Sequence, residues 1–134
     1  MTTGDLYTLA AAQGIDIDEI PMRALRAVSF PQGWIAIDPA QFPTEAEYKT
    51  TLAHEIGHVA RHAFYKADDP TEIKAECERQ ANQYAARLLM PVEAVYSAFQ
   101  AGQGQLSTLA AQFGVTTGFA AMALDFYGME AARA

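Results

Sequence analysis

At 134 residues, about half of them apolar, the chain is long enough to bury a core of its own and reads as a single domain over residues 1–134. A net charge of −7 argues against direct nucleic-acid binding, which depends on lysine and arginine meeting phosphates, and the lone Cys77 excludes an intrachain disulfide. No basic cluster precedes an apolar stretch at the start, and no apolar run approaches membrane-spanning length, so the expectation is a cytoplasmic protein without membrane contact.

In chain order, residues 3–13 read as a short helix stopped at Gly14, and residues 15–22 alternate as an extended passage. Residues 24–30 and 34–38 are rich in β-formers and are joined by Pro31-Gln32-Gly33, a hairpin turn. Residues 39–43 lead into a helix whose first part, Tyr48-Lys49-Thr50-Thr51-Leu52-Ala53, lacks proline and glycine. Along it Leu52, Ile56, Val59, Ala60 and Ala63 recur at helical spacing as an apolar stripe.

A second long helix is predicted over residues 70–90, with Asp69 as N-cap, Pro70 at its first position and Glu72 placed for a capping box. Its apolar stripe is Cys77, Ala81, Tyr84, Ala85 and Leu88, which makes Cys77 a packed, unreactive thiol. Residues 92–101 read as helix and 102–104 as a flexible break. Residues 109–124 have helix-turn-helix spacing, yet residues 116–124 hold no Arg, Lys, Asn or Gln to read bases, so this pair is expected to pack. The elements together describe an α+β, mostly helical domain.

The chemistry lies in His54-Glu55-Ile56-Gly57-His58. Residues i and i+4 of a helix project from nearly one face about 6 Å apart along the axis, so His54 and His58 can share one metal. Glu55, turned about 100° from His54, can flank a water without ligating, which is where a general base belongs. The pattern is a zinc hydrolase signature, with Zn2+ the expected cofactor. His62, about 12 Å from His54 along the axis, is too far to join and is read as a flanking residue.

A catalytic zinc needs a third protein ligand and an open position. Glu78 on the second helix is the choice. Its rivals are weaker, because Glu72 is explained by capping and Glu76 points about 160° away from Glu78. Asn82, one turn beyond Glu78, can hold a ligand by hydrogen bonding.

Two stretches, Thr51-Leu52-Ala53-His54-Glu55-Ile56-Gly57-His58 and Glu78-Arg79-Gln80-Ala81-Asn82-Gln83-Tyr84-Ala85-Ala86-Arg87-Leu88-Leu89-Met90-Pro91, resemble the ImmA/IrrE family of zinc metallopeptidases. Gln80 stands where that family commonly has a second glutamate, and Tyr84 where phenylalanine is usual. The resemblance implies a compact zincin-like fold, with a small sheet (the hairpin at about 24–38) packed beside the HEIGH helix and a C-terminal helical segment. It also implies a zinc-dependent endopeptidase, often encoded by phage or mobile elements, whose protein substrate is a helix-turn-helix repressor or antitoxin-like partner. From the resemblance, strand 34–38 is a candidate to pair with an extended substrate, a plain core strand being the equal alternative. For a donor to the developing oxyanion, Tyr65, Tyr84 and Tyr127 are the candidates. The competing function is a non-catalytic module that sequesters a repressor around a stabilising zinc. Against it stand Glu55 and the shortage of cysteine for a four-ligand structural site.

Overall fold

The architecture is built on two helices in close contact. The structure is a computed structural model that describes residues 1–133. In order the elements are α1 (Thr3–Ala12), β1 (Asp16–Glu19), β2 (Ala27–Phe30), β3 (Trp34–Ile37), a 3₁₀ turn (Pro39–Gln41), α2 (Glu45–Ala60), α3 (Thr71–Leu89), α4 (Val92–Gln100), α5 (Leu106–Phe113) and α6 (Thr117–Tyr127). α2 starts at Thr44, whose hydroxyl accepts from Glu47 N at 3.2 Å, and Glu45 and Glu47 place negative charge where the helix dipole favours it. Leu52 and Ile56 are fully buried. The predicted stripe runs too far, however: Val59 is half-buried, Ala60 is exposed, and Ala63 is buried only because the chain turns back after the helix has ended.

α2 and α3 approach closely because residue 57 is glycine. A Cβ there would sit 2.7 Å from Ala81 O and 3.2 Å from Tyr84 Cβ. The start of α3 differs from the expectation by one residue. Pro70 itself occupies the N-cap with no side-chain cap, the Asp69 carboxylate instead accepts from Lys66 N at 2.6 Å within the preceding loop, and no capping box forms at Glu72. Cys77 is only half-buried, its thiol donating to Phe64 O at 3.6 Å, and burial, then the Glu78 carboxylate, push the thiol pKa up.

The sheet has the order β1-β3-β2, with β1 parallel and β2 antiparallel to β3. In the turn, Gly33 at φ 91° donates to Phe30 O at 3.0 Å, and Phe30 stacks on Trp34 with ring centres 4.8 Å apart. β2 begins at Ala27 rather than residue 24, because the chain before it is held away from the ladder. Asp38 accepts from Met22 N at 2.9 Å, while the Gln41 side chain donates to Met22 O at 2.6 Å and Leu25 O at 3.1 Å. Asp38 is likewise lost to β3, since its carboxylate caps the 3₁₀ turn by accepting from Ala40 N at 3.2 Å.

This order decides between the two readings of the third strand. Trp34–Ile37 is the central strand, paired on both sides, so it has no free edge to offer a substrate and is the core strand of the two readings. The sheet's two edges are β1 and β2, and of these β2 lies against α2.

In the C-terminal helix pair, α6 packs on α3 and α5 packs on α6. Ala120, Ala123 and Leu124 of α6 are buried, and the Tyr127 hydroxyl donates to Met90 O at 2.7 Å and Ala86 O at 3.3 Å. Lys49, buried on α2, donates to Met1 O at 3.0 Å and Phe113 O at 2.8 Å, tying the N-terminus and the end of α5 to the helix that carries the histidines. Among the described residues no single helix is long and apolar enough to cross a membrane.

Candidate metal centre

His54 and His58, one turn apart on α2, meet Glu78 of α3. His54 Nε2 lies 3.0 Å from His58 Nε2 and 3.1 Å from Glu78 Oε1, and His58 Nε2 lies 2.9 Å from Glu78 Oε2. On the far side of each ring is an oxygen. His54 Nδ1 is 2.7 Å from Asn82 Oδ1, and His58 Nδ1 is 2.6 Å from Ala63 O.

These outer partners decide where the protons are. A carbonyl oxygen can only accept, so Nδ1 of each neutral imidazole carries the hydrogen and each Nε2 is a bare lone pair. Two lone pairs and a carboxylate then face one another, with all three ligand atoms within 4.8 Å and no proton of the neutral rings between them. Such a set repels itself unless a cation sits in its midst, and two imidazole nitrogens with one carboxylate are a donor set that suits zinc. The residues present therefore fit the metal.

Ala63 holds His58 because of its neighbour. His62 adopts φ 49°, the left-handed region, which reverses the chain directly after α2 so that Ala63 N donates to His58 O at 2.9 Å and the Ala63 carbonyl reaches the ring. His62 itself is exposed and outside the ligand group. We expect His62→Gly to keep both stability and zinc affinity. His62→Val should cost about 1–2 kcal/mol through left-handed strain and weaken zinc about 10-fold or more through the loosened His58. Chemical denaturation and a chelator competition read the two effects, and equal behaviour of both variants would show the turn to be unimportant.

Glu55, buried on the same helix, stays out of the ligand group and accepts from Ser29 Oγ of β2 at 3.1 Å. Ser29 and the Ala63 carbonyl carry no signal that sequence reading could have used. The one is an ordinary strand serine and the other a backbone atom. Of the rival carboxylates, Glu76 is exposed and paired with Arg79 at 2.8 Å, whose guanidinium holds it at about 2, and Glu72 lies exposed in the first turn of α3.

A cleft of about 300 Å³ opens beside these groups, with Ser29, Glu55, His58, Glu78 and Tyr65 among its lining residues. Tyr65 is the one of the three candidate tyrosines that lines it. Tyr84 accepts from Gln13 Nε2 at 3.1 Å elsewhere on α3, and the Tyr127 hydroxyl is spent on the α3 carbonyls. Burial, then the Glu78 carboxylate, push the Tyr65 pKa up.

The profile of the Peptidase_M78 family, the IrrE N-terminal-like domain, matches residues 12–125. Among solved structures, a Mycobacterium tuberculosis transcriptional regulator superposes with a TM-score of 0.69 at 16% identity, over 92% of this chain and 40% of that one. The likeness is one of fold, and the chain spans well under half of the regulator's length. No curated protein is significantly similar in sequence.

Proposed function

The chain belongs to the Peptidase_M78 family, the IrrE N-terminal-like metallopeptidases, and from that premise we propose that it is a zinc-dependent endopeptidase that cuts one regulatory protein. His54, His58 and Glu78 are the zinc ligands in this reading, Asn82 and the Ala63 carbonyl orient the two imidazoles, and Glu55 is the general base. The observation that carries it is the convergence of three lone-pair donors within 4.8 Å while a fourth group, Glu55, is held apart by Ser29.

Zinc bound there supplies a Lewis acid that polarises a peptide carbonyl and lowers the pKa of a water to about 7. The chain's own residues do the rest. Glu55 takes the proton of the attacking water and passes it to the leaving amine, a transfer worth about 10²–10⁴-fold in rate. Ser29, by donating to Oε1, fixes the direction in which the carboxylate faces the cleft. Tyr65, which lines the cleft, is in this reading the donor to the carbonyl oxygen as charge develops on it.

The register of β2 supports a path for the substrate. Asp38 N donates to Arg26 O, so residues 26, 28 and 30 spend their backbone groups on β3, whereas those of Ala27 and Ser29 face the open edge. An extended peptide added there would lie along the cleft next to Glu55. A helix-turn-helix repressor or antitoxin-like protein is the proposed substrate, on family resemblance.

Zinc content tests the ligand set. Protein purified without chelator should hold about one zinc per chain, and Glu78→Ala should lose it, because two histidines alone are a weak site. A natural chain that takes up no zinc from a supplied excess would end the metallopeptidase reading and leave sequestration as the better account.

A further inference from the structure

We propose that the cleft accepts an uncharged apolar side chain, of leucine, methionine or phenylalanine type, next to the bond that is cut, and that Leu25 and Tyr65 set this preference. The inference rests on the metallopeptidase reading and adds the kind of peptide the site takes. The polar side chains that close the cleft each have a part already: Ser29 donates to Glu55, His58 and Glu78 are metal ligands in the metallopeptidase reading, and the Tyr65 hydroxyl is its oxyanion donor. The remaining wall is Leu25, Ala27, Val28, Ala63, Phe64 and the ring of Tyr65, with no lysine, arginine or amide among the lining residues.

Leu25 and Tyr65 are 52% and 41% exposed, large apolar surfaces left uncovered at this place. They come from separate parts of the chain, Leu25 from the segment leading into β2 and Tyr65 from the loop that follows α2. Apolar area of that size gains by being covered, at about 25 cal/mol per Å². A peptide paired with the edge of β2 presents alternate side chains to the two faces of the sheet, so one residue near the scissile bond faces the cleft. An acidic side chain there would meet Glu55 and Glu78 and be repelled. A basic one would find Glu78 engaged by the metal and Glu55 needed for the proton, and would be desolvated without a free partner. About 300 Å³ leaves room for one large side chain but not for a bulky multi-ring ligand.

Calorimetric titration of zinc-loaded protein with hydroxamates separates the two readings. Acetohydroxamate probes the metal alone. Three peptidic hydroxamates, with isobutyl, carboxymethyl or aminobutyl side chains, probe the cleft. We expect acetohydroxamate to bind weakly and the isobutyl compound to bind about 10- to 100-fold tighter than either charged one. In Leu25→Asp, an exposed substitution that the fold should tolerate, the isobutyl advantage over aminobutyl should shrink by about 10-fold or more. If acetohydroxamate binds but the three side chains are equivalent, or a charged one is preferred, the apolar subsite is wrong while the metal reading stands. An unchanged advantage in Leu25→Asp removes Leu25 from the proposal. If acetohydroxamate fails to bind protein that holds zinc, the open coordination position is wrong and the inference falls with it.

Discussion

Glu55→Gln is expected to keep about one zinc per chain and to lose about 10²–10⁴-fold in hydrolysis of whichever supplied protein the natural chain cuts. The replacement has the same shape, and its amide oxygen can still accept from Ser29 Oγ, so the buried position 55 and the strand above it should not rearrange. What disappears is the proton acceptor. Because Glu55 lies outside the ligand group, the metal should be indifferent to the change. Metal analysis and cleavage followed by mass spectrometry, on one preparation, check both halves. Cleavage at the natural rate would remove Glu55 from the chemistry, and loss of zinc would make it a ligand.

The second large effect is expected at a residue that does no chemistry. Gly57→Ala places a methyl 2.7 Å from Ala81 O and 3.1 Å from Ala81 Cα, and both atoms are backbone, so the strain cannot be relieved by turning a side chain. α3 must move away from α2. Overpacking of this kind costs about 1–3 kcal/mol, and more where the neighbour is rigid. The consequence reaches the metal because the imidazoles ride on α2 and the carboxylate on α3. A displaced Glu78 should weaken zinc by about 10-fold or more, in line with losses seen when the support of a ligand is disturbed. Denaturant midpoints with and without chelator measure the two effects together. A variant with natural stability and natural zinc affinity would mean that the close approach at Gly57 is dispensable.

The role of residue 57 shows how local and non-local information divide here. In the sequence, Gly57 is a filler between Glu55 and His58. In the fold it is the point at which two helices touch, and only the partner helix reveals why a side chain is barred. The ligand geometry is the opposite case. The spacing of His54 and His58, the exclusion of His62, the choice of Glu78 over Glu76 and the pairing of Asn82 with a ligand all follow from the pitch of a helix, and the structure brings His54, His58, Glu78 and Asn82 together as that pitch requires.

Where elements end depended on partners that the helix pitch does not see. The 24–30 strand shortened because Asp38 and Gln41, from beyond the hairpin, captured the backbone of residues 22–25. The Asp69 carboxylate, expected to cap α3, closed the loop before it at Lys66 N. Ala63, placed by pattern on the face of α2, lies past its end and serves through its carbonyl.

What the sequence determined by itself was the set of side chains, His54, His58 and Glu78, that could hold a metal ion, since that information is carried by residues one helical turn apart and by their chemical type. Tertiary structure alone decided which strand lies open beside them, which serine holds Glu55 and which carbonyl fixes His58. Strand order depends on pairings between distant segments, and a backbone oxygen is the same in every residue, so neither leaves a mark that can be read along the chain.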